Sequence, residues 1–348
     1  MKKIYADGLL FIGDPHLSSR RPGRRTDINF AGTVLNKLAQ ALDIARENRL
    51  QPAILGDLFD RAGEQDLLLL SGLLHLLRDH HQNGGLIPVT LAGNHDMKDA
   101  TLSGDTALAV IQESGLLQVL DDAVPFPVYS IRPEEDADCI ATLVPYAYGQ
   151  EYRLLGEGLP DMPDHPGMVI ALTHADFAFA GAYPGAKEIV EIPGVDMVVN
   201  GHMHKLCPTV RRGNTLWWNP GNITRMSMDC ESHAPRVWSW KPGEDTLTGI
   251  HLRHEKIVFN RTGVSVKPDM DGLKSSMEDG VQTDMPISSR FVEMLKEQQA
   301  QESPLTEDAS HLLSEIQSVC EEQKTSAVVS DILQKMLRET VLEEGVVN

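Results

Sequence analysis

The sequence has few cysteines, few aromatic residues and no long apolar run. Its four cysteines are widely separated and form no C-x-x-C pair, which argues against a disulfide framework and against a zinc ribbon. The longest apolar stretch, residues 67–77, is interrupted by Ser71 and His75 and is shorter than the roughly 20 residues that a membrane-spanning helix needs. Near the N-terminus, Asp7 stands where a secretory signal needs an apolar run. We therefore expect a cytoplasmic protein with no membrane contact.

Positive charge is also scarce, with 31 Lys and Arg against 50 Asp and Glu and a net charge of -19. Proteins that coat nucleic acid bind through Lys and Arg that neutralise phosphates, so this composition excludes that class but not an enzyme that acts on nucleic acid. One dense basic cluster consists of Arg20, Arg21, Arg24 and Arg25. It is either a solvated loop or a clamp for a phosphate backbone, and Arg225 is a weaker candidate for the same role.

Apolar runs alternate with helix-period segments through the first half, which predicts βαβ units and a largely parallel sheet. From residue 215 onward, tryptophans and Pro-Gly turns predict antiparallel strands, with the tryptophans in the core. Residues 260–289 have the Gly, Pro, Ser and Asp content of a linker. Beyond them, apolar stripes predict a helical tail over residues 290–348, which either packs on the parent domain or binds a partner.

Metal-binding residue types recur at the predicted C-terminal ends of strands, where open α/β sheets place their active sites. These candidate ligands are Asp14, His16, Asp57, Asn94, His174, His202 and His204. Oxygen and nitrogen donors without thiolate suit Mn²⁺, Fe²⁺ or Zn²⁺ in a reactive site rather than a structural zinc. Seven groups are too many for one ion but suit two ions if Asp57 bridges them. Two ions about 3.5–4 Å apart stabilise the attacking and leaving oxygens of a displacement at phosphorus, which predicts a phosphoester substrate.

The order of these motifs resembles the calcineurin-like metallophosphoesterase superfamily. The motifs that carry this resemblance are Asp14-Pro15-His16, Gly56-Asp57, Gly93-Asn94-His95-Asp96, His174 and Gly201-His202-Met203-His204. Three further segments resemble the SbcD-type nuclease subunit of double-strand-break repair complexes: residues 56–60, 143–146 and 219–225. The resemblance implies an α/β fold, namely a four-layer α/β/β/α sandwich over residues 1–259 followed by the helical C-terminal tail.

The resemblance also implies roles for individual residues. One metal would be held by Asp14, His16, Asp57 and His204, and the other by Asp57, Asn94, His174 and His202. Both would be divalent, with Mn²⁺ expected and Fe²⁺ or Zn²⁺ as alternatives. His95 would protonate the leaving oxygen, with Asp96 orienting its ring, while a hydroxide activated by the two metals attacks phosphorus. The implied function is a phosphodiesterase acting on DNA, as an exonuclease in repair or recombination.

The resemblance implies DNA as one partner and an SMC-like coiled-coil ATPase of the SbcC type, bound through the tail helices, as another. A homodimer is left open. Nuclease subunits of this type usually carry a larger DNA-capping domain where this chain has a linker and short helices. Two alternatives stay open: a phosphatase or phosphodiesterase of small molecules such as cyclic nucleotides, built on the same site, and a metal-bound scaffold without catalysis.

Overall fold

The computed structural model describes residues 3–131, 138–179 and 185–260, in which thirteen strands and four α-helices are formed. The strands are β1 (Ile4–Ala6), β2 (Gly8–Ile12), β3 (Leu50–Ile54), β4 (Val89–Thr90), β5 (Gln118–Val119), β6 (Phe126–Ser130), β7 (Cys139–Tyr146), β8 (Met168–His174), β9 (Met197–Gly201), β10 (Val210–Arg212), β11 (Thr215–Trp218), β12 (Arg236–Trp240) and β13 (Thr248–His251). The helices are α1 (Phe30–Glu47), α2 (Leu67–Gln82), α3 (Ala107–Glu113) and α4 (Glu151–Gly156).

The strands form two mixed sheets. The six-stranded sheet has the order β13-β12-β2-β3-β4-β5, and β2 to β5 are parallel, as the alternating pattern predicts. The seven-stranded sheet has the order β1-β6-β7-β8-β9-β11-β10, with β7, β8, β9 and β11 parallel. Of the antiparallel strands expected from residue 215 onward, β12 and β13 pair with each other in the six-stranded sheet. β11 lies in the seven-stranded sheet instead, where it is antiparallel to β10 and parallel to β9.

The largest apolar contacts lie between the two sheets and beneath the helices. Along β2, Leu9 and Phe11 belong to the cluster between the sheets, whereas Leu10 and Ile12 belong to the cluster under α1, α2 and α3. This alternation follows from the two-residue period of a strand. A third cluster packs Leu154 of α4 against the outer face of the seven-stranded sheet. The four layers therefore have the expected α/β/β/α order.

The tryptophans are core residues, as predicted. Trp217, Trp218, Trp238 and Trp240 are all buried. The rings of Trp218 and Trp238 lie 5.0 Å apart, and because one is on β11 and the other on β12, this contact joins the two sheets.

Side-chain caps determine where the first helices begin. Asp66 caps α2 through a hydrogen bond from the Leu69 backbone amide, as its position predicts. In α1 the cap is Asn29, whose side chain accepts from the Gly32 amide. The nearby carboxylate of Asp27 is engaged by Arg25 and does not cap the helix.

Several predictions concern residues outside the described ranges. The tail over 290–348, its ATPase partner and almost all of the linker over 260–289 fall there. In the part of the chain that the structure describes, no helix has both the length and the apolar content needed to cross a bilayer.

We expect Phe11→Ala to lower the free energy of unfolding by about 3–5 kcal/mol, because it opens a cavity between the sheets. Leu67→Ala, at a helical position that is 79% exposed, is the control and should change it by less than about 0.5 kcal/mol. Denaturant titration of the full chain measures both. An equal loss of unfolding free energy in the two variants would contradict the packing described for β2.

Candidate metal centre

The seven predicted ligands converge at one end of the two sheets. Asp14 and His16 follow β2, Asp57 follows β3, and His174 is the last residue of β8. Parallel strands bring their carboxyl ends to the same edge, so residues far apart in the chain become neighbours. Asn94 lies in a short 3₁₀ turn after β4, and His202 and His204 follow β9.

The first predicted ligand set contains His16, His204 and Asp57. The Nε2 atoms of His16 and His204 lie 2.8 Å apart, and His16 Nε2 lies 3.8 Å from Asp57 Oδ2. Two imidazole nitrogens that point at each other in this way can share one cation.

The side chains of the second predicted ligand set also lie within about 3 Å of one another. His174 Nε2 lies 3.2 Å from Asp57 Oδ2 and 3.2 Å from Asn94 Oδ1. The same amide oxygen is 3.0 Å from Nδ1 of His202. Asp14, which the resemblance assigns to the other metal, accepts from the His202 backbone amide at 3.2 Å through Oδ1, while its Oδ2 is buried and unpartnered among the described residues.

Asp57 is the residue common to both sets. Its Oδ1 accepts a hydrogen bond from the His95 backbone amide at 2.9 Å. Its Oδ2 is buried, faces both His16 and His174, and has no hydrogen-bond partner in the described part of the chain. Oδ2 is therefore the carboxylate oxygen that faces both predicted ligand sets.

The backbone at the site adopts conformations that are costly for residues other than glycine. Four predicted ligands have positive φ: Asp14 (26°), His16 (50°), Asp57 (46°) and His202 (73°). Each such residue costs on the order of 1–3 kcal/mol, and such strain concentrates at functional sites. It is a local cost that the surrounding packing offsets.

The site also concentrates unbalanced charge. Burial, reinforced by the charge of Asp57, raises the pKa of Asp14 to about 7 against the opposing effect of His174. Burial works against the charged form of His174, but Asp57 and Asp14 outweigh it and raise the pKa of His174 to about 9. Burial lowers the pKa of His204 to about 4. The His204 imidazole is thus favoured in its neutral form, which is the form that binds a metal, whereas the carboxylates of Asp57 and Asp14 favour a proton on His174 when no metal is bound.

These observations fit a cation site. Orphaned carboxylate oxygens on Asp14 and Asp57 are buried beside imidazole nitrogens that are aimed at one another. Two groups of donor atoms lie within 4.8 Å of one another, namely His16-Asp57-His95 and Asp57-His174-His202. Both groups contain Asp57, as expected for two adjacent ions with a shared ligand.

The His95 side chain is held differently from the prediction. Its Nδ1 lies 2.7 Å from the backbone carbonyl oxygen of Asp60. The Asp96 carboxylate is fully buried and accepts hydrogen bonds from the backbone amides of Leu58, Phe59 and Gly93. The prediction that Asp96 orients the His95 ring is therefore wrong. Asp96 instead joins the two loops that carry Asp57 and His95.

The basic residues divide into two groups. Arg20, Arg21 and Arg24 are exposed, as a phosphate clamp requires. Arg25 is 2% exposed, and its guanidinium donates to Asp27 at 2.7 and 2.8 Å and to the Arg225 carbonyl oxygen at 2.9 Å. Its inclusion in a substrate clamp is therefore wrong, because its donors are already used in the interior.

Arg225 is also an interior residue. Its Nη1 donates to the carbonyl oxygens of Glu231 at 3.2 Å and Lys256 at 3.1 Å, and its Nη2 donates to that of Glu255. With 2% exposure it does not reach substrate, which corrects the prediction.

Three residues of the site were missed in the sequence. Tyr148 places its ring 5.5 Å from that of His202, Asp176 Oδ2 lies 3.4 Å from His202 Nε2, and Asp60 holds His95. Only Asp176 had a usable signal, because His174-Ala175-Asp176 repeats the two-residue spacing of the other ligand pairs.

Comparison with known proteins agrees with this geometry. Residues 9–206 match the model of the calcineurin-like phosphoesterase family. The chain belongs to this family. A search of curated proteins found no match. The matched segment runs from β2 to just beyond His204 and so contains all seven predicted ligands. Calcineurin-like phosphoesterases are hydrolases of phosphoester bonds that use a dinuclear metal centre.

Glycine at position 93 is required by close packing in this phosphoesterase. A Cβ there would overlap the Asp57 carboxylate and backbone amide. We expect Gly93→Ala to displace Asp57 and to reduce bound metal from two ions per chain to one or none. Gly63→Ala is the matched control, since a Cβ at Gly63 meets open space. Elemental analysis after gel filtration in Mn²⁺ measures both, and full metal content in Gly93→Ala would contradict this role of Asp57.

Proposed function

We propose that this calcineurin-like phosphoesterase hydrolyses phosphodiester bonds in DNA, as an SbcD-type exonuclease. The observation that carries the proposal is the position of the three exposed arginines. Arg20, Arg21 and Arg24 follow directly on the loop that bears Asp14 and His16, in a chain whose net charge is otherwise strongly negative. A local excess of positive charge in the segment that follows two of the ligands favours a polyanionic substrate over a small phosphodiester with a single negative charge.

The residues of the centre would hold two divalent ions, with Mn²⁺ proposed. Asp14, His16, Asp57 and His204 would form one ligand set, and Asp57, Asn94, His174 and His202 the other. When bound, the ions supply positive charge for the phosphoryl oxygens and activate a water molecule.

The contacts of the His95 ring support the proposal that it acts as the acid. Its Nδ1–H donates to the Asp60 carbonyl oxygen, which fixes the ring and leaves Nε2 as the nitrogen free to carry a transferable proton. The ring stands edge-on to that of His16, with centroids 5.0 Å apart, so it lies at the border of the metal ligands. We propose that Nε2 transfers its proton to the leaving oxygen of the scissile phosphodiester.

His95→Ala tests this role. We expect it to lower kcat for Mn²⁺-dependent hydrolysis of end-labelled linear duplex DNA by about 10²–10⁴-fold, because protonation of the leaving oxygen is lost. His75→Ala, at an exposed position of α2, is the matched control and should retain activity. Metal content is measured on the same samples.

The metal content separates an acid from a ligand. Inactive His95→Ala protein with two ions per chain supports the acid role, whereas loss of one ion would make His95 a ligand. Hydrolysis of bis-p-nitrophenyl phosphate or 2′,3′-cyclic AMP without hydrolysis of DNA would favour the small-molecule phosphodiesterase. Bound metal without hydrolysis of any ester would favour the scaffold. A covalently closed circular DNA distinguishes exonuclease from endonuclease action.

The exposed arginines make a separate prediction. Replacing Arg20, Arg21 and Arg24 with Ala should weaken DNA binding and reduce the slope of log K against log salt by up to about 0.9 per lost phosphate contact. Arg211→Ala with Arg212→Ala, on exposed positions of β10, removes similar charge elsewhere and is the control. Titrations by fluorescence anisotropy at several salt concentrations measure the slope. An unchanged slope would contradict a phosphate clamp.

A further inference from the structure

The carboxylate of Asp176 faces the ring nitrogen of His202 that does not face the other proposed ligands. His202 Nδ1 lies 3.0 Å from Asn94 Oδ1, within the second ligand set. The other nitrogen, Nε2, lies 3.4 Å from Asp176 Oδ2. A neutral imidazole carries a proton on one nitrogen and a lone pair on the other, so its two nitrogens can serve different partners. The ring of His202 thus lies between a ligand set and a carboxylate.

A buried amide holds the two segments that carry these side chains. Asn200 is 0% exposed, and its Nδ2 donates to the carbonyl oxygens of Ala175 at 2.9 Å and Gly201 at 2.6 Å. Its Oδ1 accepts a hydrogen bond from the Ala175 amide at 3.1 Å. Ala175 directly precedes Asp176 in the chain, and Gly201 directly precedes His202. One buried side chain therefore fixes the spacing of the backbone next to both partners.

The backbone of Asp176 itself is also held. Its carbonyl oxygen accepts a hydrogen bond from the Lys187 amide at 2.9 Å, and Lys187 forms a bridge with Phe177. The Nζ of Lys187 lies 2.6 Å from Glu151 Oε1 of α4. Because an aspartate side chain is short, the position of its carboxylate follows the position of this anchored backbone.

The other imidazole of the second ligand set has a weaker outer partner. His174 Nε2 lies 3.2 Å from Asn94 Oδ1, whereas its Nδ1 lies 2.7 Å from the carbonyl oxygen of Leu55. That carbonyl is a neutral acceptor, but the acceptor beside His202 is a carboxylate. A charged acceptor binds an imidazole N–H more strongly and makes the other nitrogen a better metal ligand. The two imidazoles of this set are therefore oriented by acceptors of unequal strength.

We propose that Asp176 is a positioning residue for the metal centre, which keeps the proton of His202 on Nε2 and so leaves the lone pair of Nδ1 free for the ion of the second ligand set. This role rests on His202 being a metal ligand, as proposed above, and does not depend on DNA being the substrate. Outer carboxylates of this kind change metal affinity by about 10–100-fold when they are replaced. Asp176 does not itself hold the ion, because it faces Nε2 and not the nitrogen on the ligand side.

The test measures metal binding by the full-length chain and needs no substrate. Protein freed of metal with a chelator is titrated with Co²⁺ by calorimetry. We expect wild type to bind two ions and Asp176→Ala to bind the second about 10–100-fold more weakly, with the affinity for the first unchanged. Asp164→Ala, which removes an exposed acid elsewhere, is the control and should bind both ions as wild type does. Equal affinity for the second ion in wild type and Asp176→Ala would overturn the proposal.

Asp176→Asn separates orientation of the ring from a simple loss of charge. The amide oxygen of the variant can still accept from the Nε2–H of His202 but carries no charge, so we expect an affinity for the second ion between those of wild type and Asp176→Ala. An affinity no higher than that of Asp176→Ala would overturn the orienting role. If Asp176→Ala does not fold, this isosteric variant decides, and wild-type affinity in it would overturn the proposal.

The visible absorption of bound Co²⁺ separates a positioning residue from a ligand, because the absorption depends on the number and kind of atoms bound to the ion. We expect Asp176→Asn at saturating Co²⁺ to hold two ions with the absorption bands of wild type. Loss of the second ion at saturation, or a changed absorption band, would make Asp176 a ligand and overturn the proposal.

His202→Ala distinguishes failure of this role from failure of the ligand set, since we expect it to lose the second ion. If it does and Asp176→Ala binds as wild type, only the role of Asp176 is overturned. If His202→Ala keeps both ions, the ligand set is overturned together with the role that depends on it. Two-ion binding that is weakened in Asp176→Ala, in a chain that does not hydrolyse DNA, would support this role and contradict only the proposed substrate.

Discussion

The buried carboxylate of Asp57 is the constraint on which the centre depends. One of its oxygens is fixed by the His95 backbone amide, and the other faces imidazoles from both sheets without a hydrogen bond from any described residue. A buried anion is tolerated only if positive charge reaches it. The charges of Asp57 and Asp14 raise the pKa of His174 despite its burial, so a proton on that ring would meet part of the need, and divalent ions would meet it more fully. The arrangement of ligands around Asp57 thus serves to compensate the negative charge of one buried carboxylate.

The surrounding chain is shaped to keep that carboxylate in place. Gly93 leaves no side chain where Asp57 must lie, and Gly56, at φ +100°, makes room for the His174 ring. Asp96 ties the backbone after Asp57 to the backbone before Asn94 through three amide hydrogen bonds. Because these supports are rigid and local, positive φ at four ligands can be maintained without distortion of the sheets.

The sequence predicted best those elements in which an apolar run is followed at once by a ligand. Strands β2, β3, β8 and β9 have this form, and so the convergence of the ligands could be expected from the strand ends. Strand β1 has no such signal, because it is three residues long and Tyr5 is 43% exposed. The partner of the His95 ring could not be found either, since it is a backbone carbonyl oxygen and any residue supplies one.

The burial of Arg25 could not be predicted from the sequence either. Its position in a run of arginines suggests a solvated cluster, but Asp27 and the rings of Phe30 and Phe259 surround its guanidinium. Phe259 is more than 200 residues away in the chain, so the pattern around Arg25 holds no trace of it. Charge clusters in a sequence show where cations are located, and tertiary packing decides which of them meet solvent.

The distance along the chain between the two halves of the centre bears on how the protein matures. His16 and His204 are separated by 188 residues, and so are Asp14 and His202. During synthesis the N-terminal ligands emerge first. The ligand sets stay incomplete until β9 and the residues after it have been made. A complete pair of ligand sets therefore exists only after both sheets have come together. Binding of two metal ions would consequently require that the two sheets have already joined.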